Sequence, residues 1–312
     1  MTAEPSAVDD SAADASAGGP SADNAGTVSR LIRAWFVEHG RDLPWRRDGF
    51  GAWGILVSEI MLQQTPVARV IPRLEQWLER WPTPEALAAA APGDAVRAWE
   101  RLGYPRRALN LHAAATAITH NHGGMVPEDV PSLLALPGIG EYTARAVAAF
   151  AYGHRHPVVD TNVRRVIARV VLGQGEAGPP STRRDLAAME ELLPADPTDA
   201  QSTNAATMEL GAIVCTARKP LCQECPVRDL CQWRADGYPV YEGKRPAPQK
   251  RFEGSDRQVR GLILAELRAS DVPVTPEEIV QVWPDSAQRE RALDGLLRDG
   301  LVVLSGADYE LP

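Results

Sequence analysis

The stretch that most constrains this 312-residue chain runs from Leu133 to Asn162, LLALPGIGEYTARAVAAFAYGHRHPVVDTN. It reads as a short helix, a tight turn Leu136-Pro137-Gly138-Ile139-Gly140, and a second helix from about Glu141. Pro137 halts the first helix, and the glycines supply backbone freedom that a Cβ opposes. Gly138 and Gly140 leave N–H groups bare at a helix N-terminus, a ready anion site. Such a turn can also merely punctuate two helices. Twenty residues after Gly140, the apolar pair Val158-Val159 delivers Asp160 to the head of the next helix. Asp is a favoured N-cap, a use compatible with chemistry at the same carboxylate. A clamp for a backbone phosphate followed by a placed carboxylate suits an enzyme acting on DNA.

The four cysteines, Cys215, Cys222, Cys225 and Cys231, form C-x6-C-x2-C-x5-C. Their proximity favours a metal set over disulfides. Zinc sites usually pair CxxC or Cys/His units, and one CxxC with two wider gaps departs from that. The loop Thr216-Ala217-Arg218-Lys219-Pro220 is short and basic, so Arg218 and Lys219 suit phosphate contact. The net charge of −8 argues mildly against a nucleic-acid partner. However, Glu4, Asp9, Asp10, Asp14 and Asp23 fall in residues 1–28, which hold no Lys or Arg. That Ala/Ser/Asp/Gly/Pro segment reads as a disordered acidic tail. No apolar run approaches a membrane span and no signal peptide is evident, so a cytoplasmic, nucleoid-associated location is expected.

Residues 52–63, AWGILVSEIMLQ, are apolar on nearly every side except for Ser58 and Glu59. A helix of this kind is buried, and a buried carboxyl needs a reason. Either Glu59 is hydrogen-bonded to a neighbouring loop, or its pKa is raised so that it can donate a proton near neutrality. Helices are expected over 27–39, with Leu31, Ala34, Trp35 and Glu38 on successive turns, and near 67–80, 84–90, 92–100, 107–120, 161–172, 181–193 and 198–214.

LPGIGEYTA followed by VVDTNV resembles the helix-hairpin-helix DNA glycosylases, and SEIMLQQT and RDLPWR are similar to the MutY-type adenine glycosylases among them. The resemblance spans roughly Arg30 to Trp233. It implies an all-α, two-lobed fold holding a [4Fe–4S] cluster on the four cysteines. It also implies a monomer that binds duplex DNA and removes adenine opposite 8-oxoguanine or guanine. Glu59 falls at the general acid and Asp160 at the catalytic aspartate, with Tyr142 and Asn162 beside them. Tyr142 stands where endonuclease III has its lysine nucleophile, which implies base removal without strand cleavage. Arg41, Trp45 and Leu62 fall at the base pocket. Gln64, Thr65, Leu102 and Tyr104 fall where the family meets the opposite base and wedges the duplex. Thymine mismatch enzymes carry arginines in place of Gln63 and Gln64. Pro105, Thr161 and Ala205 depart from the adenine pattern, and Ala205 removes one adenine contact.

Residues 237–255 read as a basic linker that either tracks phosphates or merely tethers. Helices near 256–269, 275–283 and 285–299, then strands at 301–304 and 308–311, look like a small winged-helix domain. Residues 257–312 hold six arginines against ten acidic residues, so a protein partner suits this domain better than DNA. It is too short to be the Nudix-like domain with which adenine glycosylases commonly end.

Overall fold

The structure, a computed structural model, describes residues 22–245 and 251–312. The chain opens with α1 (Ala22–His39), α2 (Gly51–Leu62), α3 (Val67–Arg80), α4 (Pro84–Ala88), α5 (Pro92–Trp99) and α6 (Arg106–Asn121). The hairpin follows as α7 (Val130–Leu134) and α8 (Glu141–Tyr152), then α9 (Thr161–Val170), α10 (Thr182–Glu190), α11 (Pro197–Ile213) and the one-turn α12 (Gln232–Ala235). Three helices, α13 (Asp256–Ala269), α14 (Pro276–Val282) and α15 (Ser286–Arg298), precede the strands β1 (Val303–Ser305) and β2 (Asp308–Glu310). Local chemistry sets many of these starts. Prolines in the first turn open α4, α5, α7, α11 and α14, where a missing N–H costs nothing. Asp129, Asp160, Asp196 and Asp285 cap helices with their carboxylates.

Two large hydrophobic cores, with a small cluster of Ala146, Ala149 and Val158, divide the described residues. The first gathers α2 to α8 around Trp77, Trp81 and Trp99, whose rings meet edge to face at 4.6 and 5.6 Å. The second joins α1, α9, α10 and α11 to the cysteine loop. The helix α1 begins at Ala22, inside the stretch expected to be tail, because Ala25 and Val28 extend its buried stripe with Ile32 and Trp35. That stripe replaces the expected one; Ala34 and Glu38 are exposed. Residues 1–21 of the expected tail lie outside the described residues, as do 246–250 of the expected linker. Before that gap the linker is fastened down: Arg245 pairs with Glu176 at 2.9 Å, and the Trp233 indole donates to Pro239 O at 3.0 Å.

The last 57 residues form the expected three helices and hairpin, with Leu304 paired to Tyr309 and a bridge from Val274 to Tyr309. They do not hang from a tether. Val259, Ile263, Leu264 and Leu267 are continuous with the first core. Arg97 donates to the carbonyls of Arg268 and Ser270, Arg268 Nε donates to Val96 O at 3.0 Å, and the Gly93 N–H donates to Pro312 O. This shared core makes a testable claim about cooperativity. Leu267→Ala should cost about 2–5 kcal/mol and lower the urea midpoint of the first lobe together with that of the C-terminal helices. Two separated transitions would show that the C-terminal elements fold apart.

Candidate active site

The two cores meet where α2 and α8 lie side by side and the head of α9 enters from the second lobe. Glu59 on α2 is only 6% exposed, and its Oε2 is buried with no hydrogen-bond partner. Burial pushes this carboxyl up to about 7; the Asp160 charge adds to the rise and a hydrogen bond from the Tyr142 hydroxyl opposes it. Burial likewise holds the Tyr142 phenol well above its ordinary value, so it stays a proton donor to Glu59. Asp160 caps α9: Oδ1 accepts from the N–H groups of Asn162 at 2.9 Å and Val163 at 2.7 Å, and Oδ2 accepts from Asn162 Nδ2 at 2.7 Å. Burial raises the Asp160 pKa, and these three bonds with the Arg165 charge resist it. The capping role and the placed carboxylate are therefore one geometry. Two carboxyls stand at one seam, one starved of donors and one supplied with three, which is how protonation states are pushed apart.

Three supports were not visible in the sequence. Asn204 is buried on α11 and pins the approach to Asp160, accepting from Val158 N and donating to His156 O, both at 2.9 Å. Arg165 donates to Asn162 Oδ1 at 2.9 Å, Gly211 O at 2.6 Å and Cys215 O at 2.7 Å, so the cysteine loop reaches Asp160 through Asn162. Gly211 makes this possible, since a Cβ there would lie 2.8 Å from Asn162 Cβ. The third support is Glu209, 1% exposed, which accepts from Arg41 at 2.6 and 2.9 Å and from Arg46 at 2.8 Å. Burial alone would raise its pKa, but the two arginines win and hold it at about 2. The loop Arg41–Arg46 is thereby bolted to α11, and Trp45 is half-buried beside α2. Arg41 spends its guanidinium on Glu209 rather than presenting it freely to a base.

Gln64 and Tyr104 are exposed on adjacent loops, both with left-handed backbones (φ 56° and 47°). Leu62 is half-buried at the end of α2. Two expected base readers are buried. Leu102 is 4% exposed and packs into the first core, and Thr65 is buried with its hydroxyl donating to Leu102 O at 3.2 Å. Apolar packing claims the first and a loop-to-loop bond the second. Gly138 (φ 75°) sits so close to α6 that a Cβ would fall 2.5 Å from Asn110 Cβ. Gly140 has an extended backbone open to any residue, but no side chain caps α8 there and the space beside it is empty.

All four cysteines line one cavity with Arg169 and Trp233. Arg169 donates to Cys215 Sγ at 3.4 Å and to Thr216 O and Ala217 O, fixing the backbone beneath the exposed Arg218 and Lys219. Burial pushes the Cys225 thiol up to about 12 and that of Cys231 upward too, each further raised by the neighbouring thiolates. Buried thiols like these two ionise together only around strong positive charge. A cavity ringed by four cysteines, spaced as one CxxC with two wider gaps, suits a cluster rather than one zinc.

Residues 57–191 match the HhH-GPD superfamily of base excision DNA repair proteins, and residues 215–231 match the iron–sulfur binding domain of endonuclease III. The chain is 54% identical to an adenine DNA glycosylase of Mycobacterium tuberculosis over 273 residues, 87% of this chain and 89% of that one. This chain belongs to the adenine DNA glycosylase family. Its fold is also that of a thermostable thymine-DNA glycosylase (TM-score 0.63, 26% identity, 69% of this chain and 98% of that one). Endonuclease III trapped on DNA shares the fold as well (TM-score 0.60, 21% identity, 70% of this chain and 100% of that one). The loop over residues 215–231 of this family member holds a [4Fe–4S] cluster. No helix among the described residues is long and apolar enough to cross a membrane.

The Glu59 environment predicts a pH signature. Folded Glu59 binds its proton more tightly than an unfolded carboxyl, so its stabilising contribution is full at acid pH and is lost as pH rises toward 7. Glu59→Gln should therefore gain stability relative to wild type above pH 7, by roughly 1–3 kcal/mol. Urea titrations at pH 5 and pH 8 measure it, and an equal difference at both would mean that Glu59 ionises freely.

Proposed function

We propose that this chain removes adenine opposite 8-oxoguanine or guanine in duplex DNA and stops at the abasic site. The observation that carries this reading is the buried, proton-retaining Glu59, with one oxygen unpartnered and a single hydrogen bond from Tyr142, at the same seam as a donor-rich Asp160. Glu59 protonates the purine as the N-glycosidic bond breaks, and Asp160 stabilises the positive charge that develops on the sugar. Tyr142 steers the acid through its hydroxyl, and Asn162 holds the aspartate. Arg41, Trp45 and Leu62 wall the base pocket. Gln64 and Tyr104 face the opposite strand, with Thr65 and Leu102 beneath them. Gly138, Gly140, Arg218 and Lys219 hold backbone phosphates, so the cluster's task is to shape a loop for docking. A phenol at position 142 cannot form the imine that a lysine would, which is why the strand stays intact. The acidic C-terminal elements suit a protein partner, and the enzyme works as an intracellular monomer.

Glu59→Gln should lower single-turnover adenine release at least ~100-fold while leaving duplex affinity within a few-fold, because the amide keeps the shape but carries no acidic proton. Normal release from that variant, or release of thymine from a G·T duplex in place of adenine, would sink the assignment. Tyr142→Lys should form a borohydride-trappable adduct with DNA, and a complete lack of one would show that position 142 does not face the sugar.

A further inference from the structure

Two adjacent arginines open α6 and have opposite fates. Arg106 is exposed and reaches Asp299 of the C-terminal elements. Arg107 is 8% exposed and points back into the protein. A cation in the first turn of its own helix meets an unfavourable dipole, so something else must hold it there. That partner is the end of α2, the helix that carries Glu59. One guanidinium nitrogen of Arg107 donates to Ile60 O at 2.8 Å, Met61 O at 3.1 Å and Gln63 O at 2.6 Å, satisfying carbonyls that a helix end leaves open. The other donates to Thr65 Oγ1 at 3.1 Å, Gly103 O at 2.9 Å and Leu102 O at 3.4 Å.

The guanidinium lies 5.2 Å from the Trp99 ring centre and 5.5 Å from that of Tyr104, while its Nε is buried without a partner. Every hydrogen-bond acceptor of Arg107 among the described residues is a carbonyl or a hydroxyl. The charge is thus held by backbone dipoles, one hydroxyl and two aromatic rings, with no carboxylate among its hydrogen-bond acceptors, an expensive arrangement to keep unless it does something.

What it joins is the pair of loops bearing Gln64 and Tyr104. Each loop holds a non-glycine residue in the left-handed region, and the second also has Glu100 (φ 43°) and Gly103 (φ 83°) there. At the non-glycine positions this is strain, and it persists only where the surroundings over-determine the backbone. Six donor contacts from one planar fork supply that over-determination, and a lysine cannot reproduce the fork.

We propose that Arg107 is the positioning residue for strand opening, locking the Gln64 turn and the Tyr104 loop into one rigid jaw anchored on the helix of the general acid. Insertion of Tyr104 beside the target base and placement of Glu59 against it are then a single rigid-body event. The inference rests on the proposed base-removing function only for its second readout.

The experiment uses full-length protein and a duplex carrying 2-aminopurine next to an adenine paired with 8-oxoguanine, so that stack opening is read by fluorescence and base release separately. Arg107→Lys and Arg107→Met should bind the duplex within about threefold of wild type yet open the stack at least ~10-fold more slowly. Adenine release should fall by the same factor, since misplacing a group by 1 Å can cost up to about 100-fold. If the methionine variant does not fold, Thr65→Val removes the hydroxyl that accepts from Arg107 and donates to Leu102 O, which weakens the tie between the two loops, and should slow opening in the same sense. Variants that open the stack at the wild-type rate would overturn the proposal. So would variants that open it normally but release adenine slowly, because Arg107 would then act on Glu59 alone. Wild-type protein that opens the stack and frees no adenine would instead refute the base-removal reading and leave the jaw standing.

Discussion

Everything in this molecule leans on the exclusion of water from the seam between its two cores. A carboxyl costs little at a surface and several kcal/mol when desolvated without partners, which is why Glu59 keeps its proton to about pH 7. Asp160, whose charge is felt at Glu59, is supplied with two backbone N–H groups and an amide because it caps α9. The same secondary-structure rule that starts a helix therefore gives the site its second carboxylate. Chemistry and fold are not separable at this position. Loosening α9 would change the charge state at the seam before it changed anything else.

Arginine does the work of cross-linking around that seam. The chain has thirty arginines and three lysines. Many of the arginines face inward onto carbonyls: Arg107 on the end of α2, Arg165 on Gly211 and Cys215, Arg169 on the cysteine loop and Arg155 on Leu193 and Pro194. A planar fork that never loses its proton can join three chain segments at once, whereas an ammonium group joins them less definitely. Exposed pairs such as Arg47–Asp42 add little by comparison, screened as they are by solvent. Under the proposed function an acidic protein meets DNA through local cations such as Arg218 and Lys219, which sit on a backbone that Arg169 has fixed.

What the sequence made legible was local. Glu59 stood out because a carboxyl interrupts a helix apolar on all sides, Asp160 because it ends an apolar run at a helix start, and the cysteines because their spacing is short. What it hid was long-range. Glu209 meets Arg41 across 168 residues and Arg107 meets Ile60 across 47, and no periodicity announces such pairs. The motif puts Leu102 and Thr65 near the opposite base, and what it does not announce is that the leucine packs into the first core and the threonine hydroxyl bonds to Leu102 O. The start of α1 was missed for a compositional reason. Small residues such as Ala25 look like tail until a neighbouring core, here Leu210 and Val166, gives them something to bury against.

The C-terminal helices show the same limit from the other side. Their acidity and the Pro-rich segment before them argued for a detached module, yet their apolar stripe continues the first core. Asp299 accepts from both Arg106 and Arg260, so an acidic residue of this part lies against the exposed neighbour of Arg107 at the foot of the Tyr104 loop. Under the proposed wedge role of Tyr104, a carboxylate there offsets part of the charge that Arg106 would offer an approaching phosphate. On that reading the loop's hold on DNA depends on its shape and its aromatic ring more than on charge. That is a reasonable division for a jaw that must enter and leave a base stack, since charge would tighten every encounter alike while shape responds only to a stack that can open.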